Sequence, residues 1–126
     1  MSENKKAVLP KGTNSSGPYS PGIISGGFLF IAGQVGRNAE GKTGAMIEEQ
    51  THYVIENMRT ILQAAGCDLK DVVKATVYLT KQEYFKAYNA IYMEHFPEPR
   101  PARATVIAGL VEESFLIEIE AIAKLP

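Results

Sequence analysis

The stretch that decides the fold is residues 72–83, VVKATVYLTKQE. Apolar side chains alternate over 72–79, which predicts a β-strand. One face of that strand would carry four apolar side chains, Val73, Ala75, Val77 and Leu79. Thr80 and Glu83 have the spacing of a capping box, which predicts that a helix begins there. The stretch therefore predicts a strand that leads directly into a helix.

Upstream of this unit, the pattern predicts a hairpin and another helix. Two apolar runs, 23–25 and 28–32, flank Gly26-Gly27, which is a typical hairpin turn. A helix is predicted over 46–65, and Gly66 would end it as a C-cap. Its apolar stripe consists of Ile47, Val54, Met58, Ile61 and Ala65. Loops are predicted over 11–22, which is rich in Gly, Ser, Asn and Pro, and over 33–44.

Downstream, one helix and two strands complete the pattern. The helix has an inner stripe made of Tyr84, Tyr88, Ile91 and Tyr92, and the proline-rich segment 97–101 ends it. Strands are predicted over 102–110 and 115–123. The short link 111–114 indicates that these two strands pair as an antiparallel hairpin. The pattern also allows a strand over 7–10.

The order ββαβαββ predicts one domain over 1–126 of the α+β class, a two-layer sandwich with a mixed or antiparallel sheet. Two helices cover only one face of such a sheet. The other face would keep apolar side chains in water, such as Phe28, Phe30 and Val72 or their neighbours. From this imbalance we expect that the chain associates with copies of itself.

Composition disfavours several classes of protein. The chain has 126 residues, a formal net charge of −1 and no run of Lys and Arg, which disfavours a nucleic-acid-binding protein. Nothing near the single cysteine, Cys67, would activate a thiolate, so we expect a small, partly buried residue there. Residues 1–10 lack the apolar run of a secretory signal, and no stretch approaches the ~20 apolar residues of a membrane span. We therefore expect a cytosolic protein outside the membrane.

Several constellations that carry chemistry are absent from the sequence. His52 and His95 stand alone, without a second ligand at metal spacing, so we interpret both as structural or surface residues. No phosphate-binding loop and no Ser/His/Asp set is present. We therefore expect no metal site.

Charged residues inside apolar strands are the first candidates for a site. Arg103 lies in a predicted strand, where a buried guanidinium needs an anionic partner. Glu118 and Glu120 alternate with isoleucines on the last strand, so both acids share one face. Arg103 could form a salt bridge with one of these acids, or it could bind the anionic group of a ligand. Alternation alone does not choose Glu118 or Glu120 as a general base.

Tyr19 is the third candidate. It lies in Gly17-Pro18-Tyr19-Ser20-Pro21-Gly22, where proline and glycine on both sides define a loop. Two interpretations are open: an aromatic lid over the core, or a phenol at the edge of a pocket.

In their order and spacing these features resemble the RidA family, the reactive intermediate (enamine/imine) deaminases, also labelled L-PSP endoribonucleases. The resemblance covers nearly the whole chain. The segments that carry it are GPYSPG (17–22), IAGQ (31–34), NM (57–58), AAG (64–66), DVVK (71–74), Asn89 with Tyr92, PAR (101–103) and IEIEA (117–121). The resemblance implies a chorismate-mutase-like fold and a homotrimer whose pockets lie between neighbouring subunits.

The resemblance also implies roles for particular residues. Arg103 would bind the substrate's carboxylate as a bidentate fork, and Glu118 would hold the attacking water with a backbone carbonyl near Thr105. Tyr19 would close the pocket. The implied substrate-binding set is Tyr19, Ala32, Gly33, Asn89, Arg103 and Thr105, and the implied catalytic residues are Arg103 and Glu118.

The implied reaction is the hydrolysis of 2-imino acids, such as 2-iminopropanoate derived from 2-aminoacrylate, to 2-oxo acids and ammonia. No cofactor is implied, because an imine carbon is already electrophilic and positioning supplies most of the help. Two departures concern the substrate: many members carry Ser where this chain has Ala32, and Cys where it has Thr105. Two alternatives remain, a non-catalytic trimer that binds small carboxylates or partner proteins, and an RNA-cleaving inhibitor of translation.

Overall fold

The computed structural model describes residues 4–11 and 17–126, so part of the predicted loop over 11–22 lies outside the described residues. Within these ranges the strands are β1 (Lys6–Val8), β2 (Gly22–Ser25), β3 (Phe28–Val35), β4 (Val72–Leu79), β5 (Ala102–Ile107) and β6 (Ile117–Lys124). The α-helices are α1 (Ile47–Ala64) and α2 (Phe85–His95). Both helices pack on one face of a mixed sheet, which confirms the predicted α+β class.

The sheet runs in the order β1-β2-β3-β6-β4-β5, and only β4 and β5 are parallel. α2 provides the long connection that a parallel pair needs. Gly26 and Gly27 form the predicted turn between β2 and β3, with φ of 60° and 84°. Glycine adopts these positive φ values without the clash that a Cβ would cause, which explains the residue pair at this turn.

The predicted hairpin between the last two strands is wrong. β5 pairs with β4 at the edge of the sheet, whereas β6 lies between β3 and β4. The connection between β5 and β6 spans 108–116 instead of 111–114. β3, β4 and β6 each have eight residues and β5 has six, so β6 pairs over more backbone with β3 and β4 than it could with β5.

α1 packs on the sheet through the predicted stripe and ends where the sequence indicates. Val54 and Met58 are fully buried. Gly66 has φ of 80°, and the N–H groups of Gly66 and Cys67 donate to the carbonyls of Gln63 and Leu62. These two bonds close a Schellman motif, the common glycine-ended C-terminus.

The capping box predicted at Thr80 does not form. α2 begins at Phe85, after a short 3₁₀ turn over Gln82–Tyr84, and no side chain caps either element. The Thr80 hydroxyl instead donates to the Leu116 carbonyl oxygen at 3.5 Å. The stripe predicted for this helix is nevertheless correct, because Tyr88, Ile91 and Tyr92 are buried and Tyr84 packs against the core.

The sheet face without helices keeps apolar side chains in water. Phe30 and Val73 are each 44% exposed, and Val106 is 42% exposed. Val73 was predicted to face the helices with Ala75, but a bulge between Val72 and Lys74 shifts the register, so Val72 is buried and Val73 is not. Self-association across this open face stays a prediction.

Candidate functional site

One cavity joins several of the predicted site residues. It has a volume of about 430 Å³ and lies beside the end of β3 and the start of β6. Its lining consists of Tyr19, Ala32, Gly33, Val35, Arg37, Val111, Glu112, Phe115 and Glu118. Four of the residues expected from the resemblance, Tyr19, Ala32, Gly33 and Glu118, therefore line the same cavity. We call these four the Glu118 half.

Glu118 is the acid of this cavity, and its surroundings disfavour its charged form. Alternation on β6 sends Ile117 and Ile119 fully into the core and leaves Glu118 half-buried on the opposite face. Burial, and then the negative charge of Glu120, raise the pKa of the Glu118 carboxyl. A carboxylate with a raised pKa is a better proton acceptor than an ordinary one.

Gly33 makes room for this acid. The register of β3 against β6 shifts between Ile31 and Gln34, so the backbone of Gly33 approaches the Glu118 side chain. A Cβ built on Gly33 would lie 2.9 Å from the Glu118 Cδ and closer still to a carboxylate oxygen. Glycine is therefore the residue that lets this carboxyl occupy its position.

Tyr19 and Ala32 also line the cavity. Tyr19 is 63% exposed, so it stands at the edge and is not a lid over the core. Ala32 offers no hydroxyl, and its carbonyl oxygen accepts a hydrogen bond from the Gln34 amide at 2.8 Å. Within the Glu118 half, the polar side chains are therefore those of Tyr19 and Glu118.

Sequence reasoning missed Gln50, a buried residue that holds the cavity walls together. Its amide donates to the carbonyls of Gly44 at 2.8 Å and Ser114 at 2.7 Å, and accepts from the Leu116 N–H at 2.8 Å. These bonds fix the segment that leads into β6. A signal was available: Gln50 is a polar residue that follows Ile47 by three positions, on the apolar stripe of the helix.

Arg37 is a second residue that sequence reasoning missed. Its guanidinium donates to both carboxylate oxygens of Glu112 at 3.2 Å and to the Thr43 hydroxyl at 3.3 Å. It also lies over the Phe115 ring, with 4.9 Å from Cζ to the centroid. Arg37 thus attaches the connection between β5 and β6 to the end of β3. No local pattern in the sequence indicated these contacts.

Glu120 faces the same side of the sheet as Glu118 but lies outside the cavity lining. It accepts a hydrogen bond from the hydroxyl of Tyr78, and this bond is the main reason why the pKa of Tyr78 is raised. Tyr78 stands directly opposite Glu118 in the β4–β6 pairing. The structure therefore separates two acids that alternation could not distinguish.

Arg103 faces the other side of the sheet. It pairs with Ala75 of the core, and its guanidinium carbon lies 5.9 Å, 5.2 Å and 4.7 Å from three ring centroids of α2, those of Phe85, Tyr88 and Tyr92. Among the described residues, no carboxylate lies within salt-bridge distance of Arg103. Within one chain Arg103 therefore forms no salt bridge to Glu118 or Glu120, and cation–π contacts hold the guanidinium instead.

Thr105 lies two positions after Arg103 on β5, and Asn89 lies on α2, the helix whose aromatic rings contact Arg103. The Thr105 hydroxyl is 2.7 Å from the hydroxyl of Tyr88, within hydrogen-bond distance. Asn89 follows Tyr88 on α2, half-buried, and its amide contacts the Met93 sulfur at 4.0 Å. We call Asn89, Arg103 and Thr105 the Arg103 half. Within one chain, the sheet separates it from the Glu118 half.

His52 and His95 were predicted to stand alone, but the structure brings them together. His52 Nδ1 on α1 and His95 Nε2 on α2 are 2.9 Å apart. Burial, and then the neighbouring His52, lower the pKa of His95. His95 also lines a cleft of about 410 Å³, together with Arg59, Asp68, Leu69, Lys70, Glu94 and Pro97. Over 4–11 and 17–126, no group of three or more His, Cys, Asp and Glu gathers around a possible metal position.

Cys67 is a buried residue after the end of α1, as predicted. It is 5% exposed, and burial raises the pKa of its thiol. A thiol with a raised pKa is a poor nucleophile at neutral pH, so no reactive role is assigned to it.

The profile of the Endoribonuclease L-PSP family matches residues 10–125. The chain belongs to this family. It is 48% identical over 111 residues to a RutC family protein of Pyrococcus horikoshii, covering 85% of this chain and 86% of that one. It is 40% identical over 125 residues to Reactive Intermediate Deaminase A, chloroplastic, of Arabidopsis thaliana, covering 96% of this chain and 67% of that one.

A solved structure of the family superposes closely. The structure of E. coli TdcF with bound serine has a TM-score of 0.86 and 29% identity, and the match covers 96% of this chain and 99% of that one. The resemblance to the RidA family is therefore confirmed, together with the fold that it implied. No helix in the described part of the chain is long and apolar enough to cross a membrane. The cytosolic location stays a prediction, and the Arabidopsis relative is named chloroplastic.

Proposed function

We propose that this protein hydrolyses reactive 2-imino acids to 2-oxo acids and ammonia, in a homotrimer whose sites lie between neighbouring subunits. Each site would take the Glu118 half from one subunit and the Arg103 half from the next. A relative is named a reactive intermediate deaminase, which supports the reaction class. 2-Iminopropanoate and 2-iminobutanoate are the substrates that we propose.

One observation carries the proposal: the chain holds two incomplete halves on opposite faces of its sheet. The acid lies in a cavity without Arg103, and Arg103 lies against α2 without any described carboxylate partner. A half-buried guanidinium without a counter-charge favours an anion that comes from outside the chain. β5 is an edge strand with exposed apolar side chains, so a neighbouring subunit could cover it and bring the two halves together.

The chemistry matches the residues that the two halves supply. In R–C(=NH₂⁺)–COO⁻ + H₂O → R–CO–COO⁻ + NH₄⁺, water adds to the imine carbon and the C–N bond then breaks. Arg103 would hold the carboxylate through two N–H donors. Glu118 would orient the water, accept its proton and return that proton to the departing nitrogen. The raised pKa of Glu118 suits both steps.

Two departures from the family pattern concern the groups that would contact the substrate. Ala32 removes one donor from the Glu118 half, and the Thr105 hydroxyl is already engaged by Tyr88. Both point toward substrates with a small, apolar side chain, because few polar groups remain to bind more. The serine bound to TdcF supports a small ligand that carries a carboxylate.

The proposal is tested by following ammonia release from enzymatically generated 2-aminoacrylate. Purified protein is expected to accelerate release well above the free solution rate, and Arg103→Ala is expected to lose most of the gain. A wild-type rate equal to that of free solution, or an Arg103→Ala rate equal to that of wild type, would contradict the proposal. Protein prepared without other deaminases is the necessary control.

A second candidate, RNA cleavage, gains one observation from the structure. His95 lines a cleft that includes Arg59 and Lys70 and lies 2.9 Å from His52, and histidine pairs can act as acid and base on phosphodiesters. The same cleft carries Asp68 and Glu94, which repel phosphate, so the imine reaction is the function that the residues support better. RNA cleavage by purified protein that His95→Ala abolishes and Arg103→Ala preserves would favour this candidate.

A further inference from the structure

We infer that Tyr88 is a positioning residue of the Arg103 half, which acts through Arg103 and Thr105 to set the strength of carboxylate binding. The inference rests on the proposed function, because it concerns the group that would hold the substrate. Tyr88 is not part of the set that the resemblance implied.

Tyr88 contacts both strand residues of the Arg103 half. Its ring centroid lies 5.2 Å from the Arg103 guanidinium carbon, and its hydroxyl lies 2.7 Å from the Thr105 hydroxyl. Arg103 and Thr105 are two positions apart on β5, so they project from the same face, toward α2. One buried side chain therefore spans the strand positions that would bind the substrate.

The surroundings make Tyr88 a rigid support. It is fully buried, and its ring meets Phe85 edge-on at 5.7 Å and Tyr92 edge-on at 6.0 Å. Burial raises the pKa of its phenol, so the hydroxyl keeps its proton at neutral pH. A fixed ring under a guanidinium limits the orientations of the N–H groups, which lowers the entropy lost when an anion binds.

The hydroxyl of Tyr88 has a specific consequence for Thr105. The bond between the two hydroxyls joins α2 to β5 two positions from Arg103, and it holds the Tyr88 ring in place against the guanidinium. Removal of the Tyr88 hydroxyl would leave the Thr105 hydroxyl without this partner and loosen the contact between α2 and β5. We expect the carboxylate to bind more weakly, while the reaction of the bound imine is little affected.

Tyr92→Phe offers a matched comparison for Tyr88→Phe. Both tyrosines are buried on α2, one turn apart, and both rings lie under Arg103. The Tyr92 hydroxyl, however, has no hydrogen-bond partner among the described residues, whereas the Tyr88 hydroxyl bonds to Thr105. The two substitutions remove the same atom from the same kind of ring and differ in the bond that is lost.

The experiment measures kcat and KM for imine hydrolysis and, independently, the Kd for 2-oxobutanoate by calorimetry. Tyr88→Phe is expected to raise KM and Kd by about fivefold with kcat changed less than about twofold, because uniform binding energy is lost. Tyr92→Phe is expected to change KM and Kd clearly less than Tyr88→Phe does. Thr105→Val should raise KM and Kd by the same factor as Tyr88→Phe, and the double variant should raise them no further. Thr105→Ser keeps a hydroxyl and should bind 2-oxobutanoate more tightly than Thr105→Val.

The outcomes separate this inference from the proposed function. If wild-type protein binds 2-oxobutanoate but hydrolyses no imine, the proposed function fails and the Kd ratios still decide the role of Tyr88. Equal effects of Tyr88→Phe and Tyr92→Phe, additive effects of Tyr88→Phe and Thr105→Val, or a lower melting temperature with unchanged KM and Kd would each overturn the inference. So would a wild-type protein that binds no 2-oxo acid.

Discussion

The Glu118 half and the Arg103 half are built by opposite means. The Glu118 half is held by hydrogen bonds and one ion pair, with Gln50 and Arg37 fixing the backbone around one acid. The Arg103 half is held by aromatic faces, which support a cation and leave it without a counter-charge among the described residues. Under the proposed function, the first half would hold water and move a proton, and the second would bind an anion. Because the two sets of contacts supply complementary groups, the proposal requires both halves in each site.

The largest expected effect comes from two variants, each of which lacks the key residue of one half. Arg103→Ala and Glu118→Gln should each lose most of the hydrolytic rate, because one removes the anion contact and the other the base. Co-expression of the two variants should recover about one quarter of the wild-type rate, because random trimers then contain some sites with both native residues. Ammonia release from co-expressed, purified trimers measures this recovery.

The control for this mixture is co-expression of Arg103→Ala with the double variant Arg103→Ala/Glu118→Gln. No site in that mixture contains an arginine at this position, so no recovery is expected. Mass spectrometry shows whether mixed trimers form. If they form and the first mixture still recovers no activity, the two halves do not meet between subunits.

The next effect tests the Glu118 half alone. Gly33→Ala would place a Cβ 2.9 Å from the Glu118 Cδ, so the carboxyl must move. We expect kcat to fall about tenfold or more with a small change in KM, because a displaced base is costly even when the substrate binds normally. Steady-state kinetics would show a pattern opposite to that expected for Tyr88→Phe.

Gly109→Ala is the matched control for this change. A Cβ at Gly109 meets no atom within 4 Å, so the same substitution in the connection between β5 and β6 should leave kcat close to the wild-type value. An equal loss of kcat in both variants would show that the loss does not come from the contact with Glu118.

A smaller effect concerns the pH at which the Glu118 half works. The charge of Glu120 is the second cause, after burial, of the raised pKa of Glu118. Glu120→Gln removes that charge and can still accept the Tyr78 hydrogen bond, so Glu118 should stay ionised to lower pH. The acid limb of the kcat profile is therefore expected to move to lower pH.

Glu113→Gln serves as the control, because Glu113 is exposed and is not among the causes of the raised pKa of Glu118. It removes one negative charge from the chain and should leave the acid limb in place. An acid limb that stays fixed in Glu120→Gln would mean that the profile does not report the ionisation of Glu118.

The parts of the fold that depend on local patterns were predictable from the sequence. The alternation over 117–121 correctly set Glu118 against the buried isoleucines, and the stripe on α2 correctly buried Tyr88 and Tyr92. Gly66 correctly marked the end of α1. In each case the information lies within one or two turns of chain, where periodicity and backbone conformation decide the outcome.

The parts that depend on distant pairing were not predictable. Local pattern could not tell that β5 pairs with β4, and this pairing is what turns Arg103 toward α2 and away from Glu118. The bulge that exposes Val73 and the bonds of Arg37 also arise from contacts between separated segments. Register and strand order are global properties, and a shift of one residue exchanges the faces.

The histidine pair is another contact between distant segments. It gives the smallest predicted effect, a change in stability with pH at α2, the helix that supports Arg103. Burial and His52 lower the pKa of His95 below its ordinary value of 6.5, so the unfolded chain binds a proton more readily than the folded one. The contribution to stability is therefore present above about pH 6.5 and is lost as pH falls through the lowered pKa. Urea unfolding at about pH 7.5 and about pH 5.5 should show a smaller loss of unfolding free energy in His95→Gln than in wild type. The same loss in both proteins would mean that protonation of His95 does not destabilise the contact between α1 and α2, and that α2 is held by its aromatic core alone.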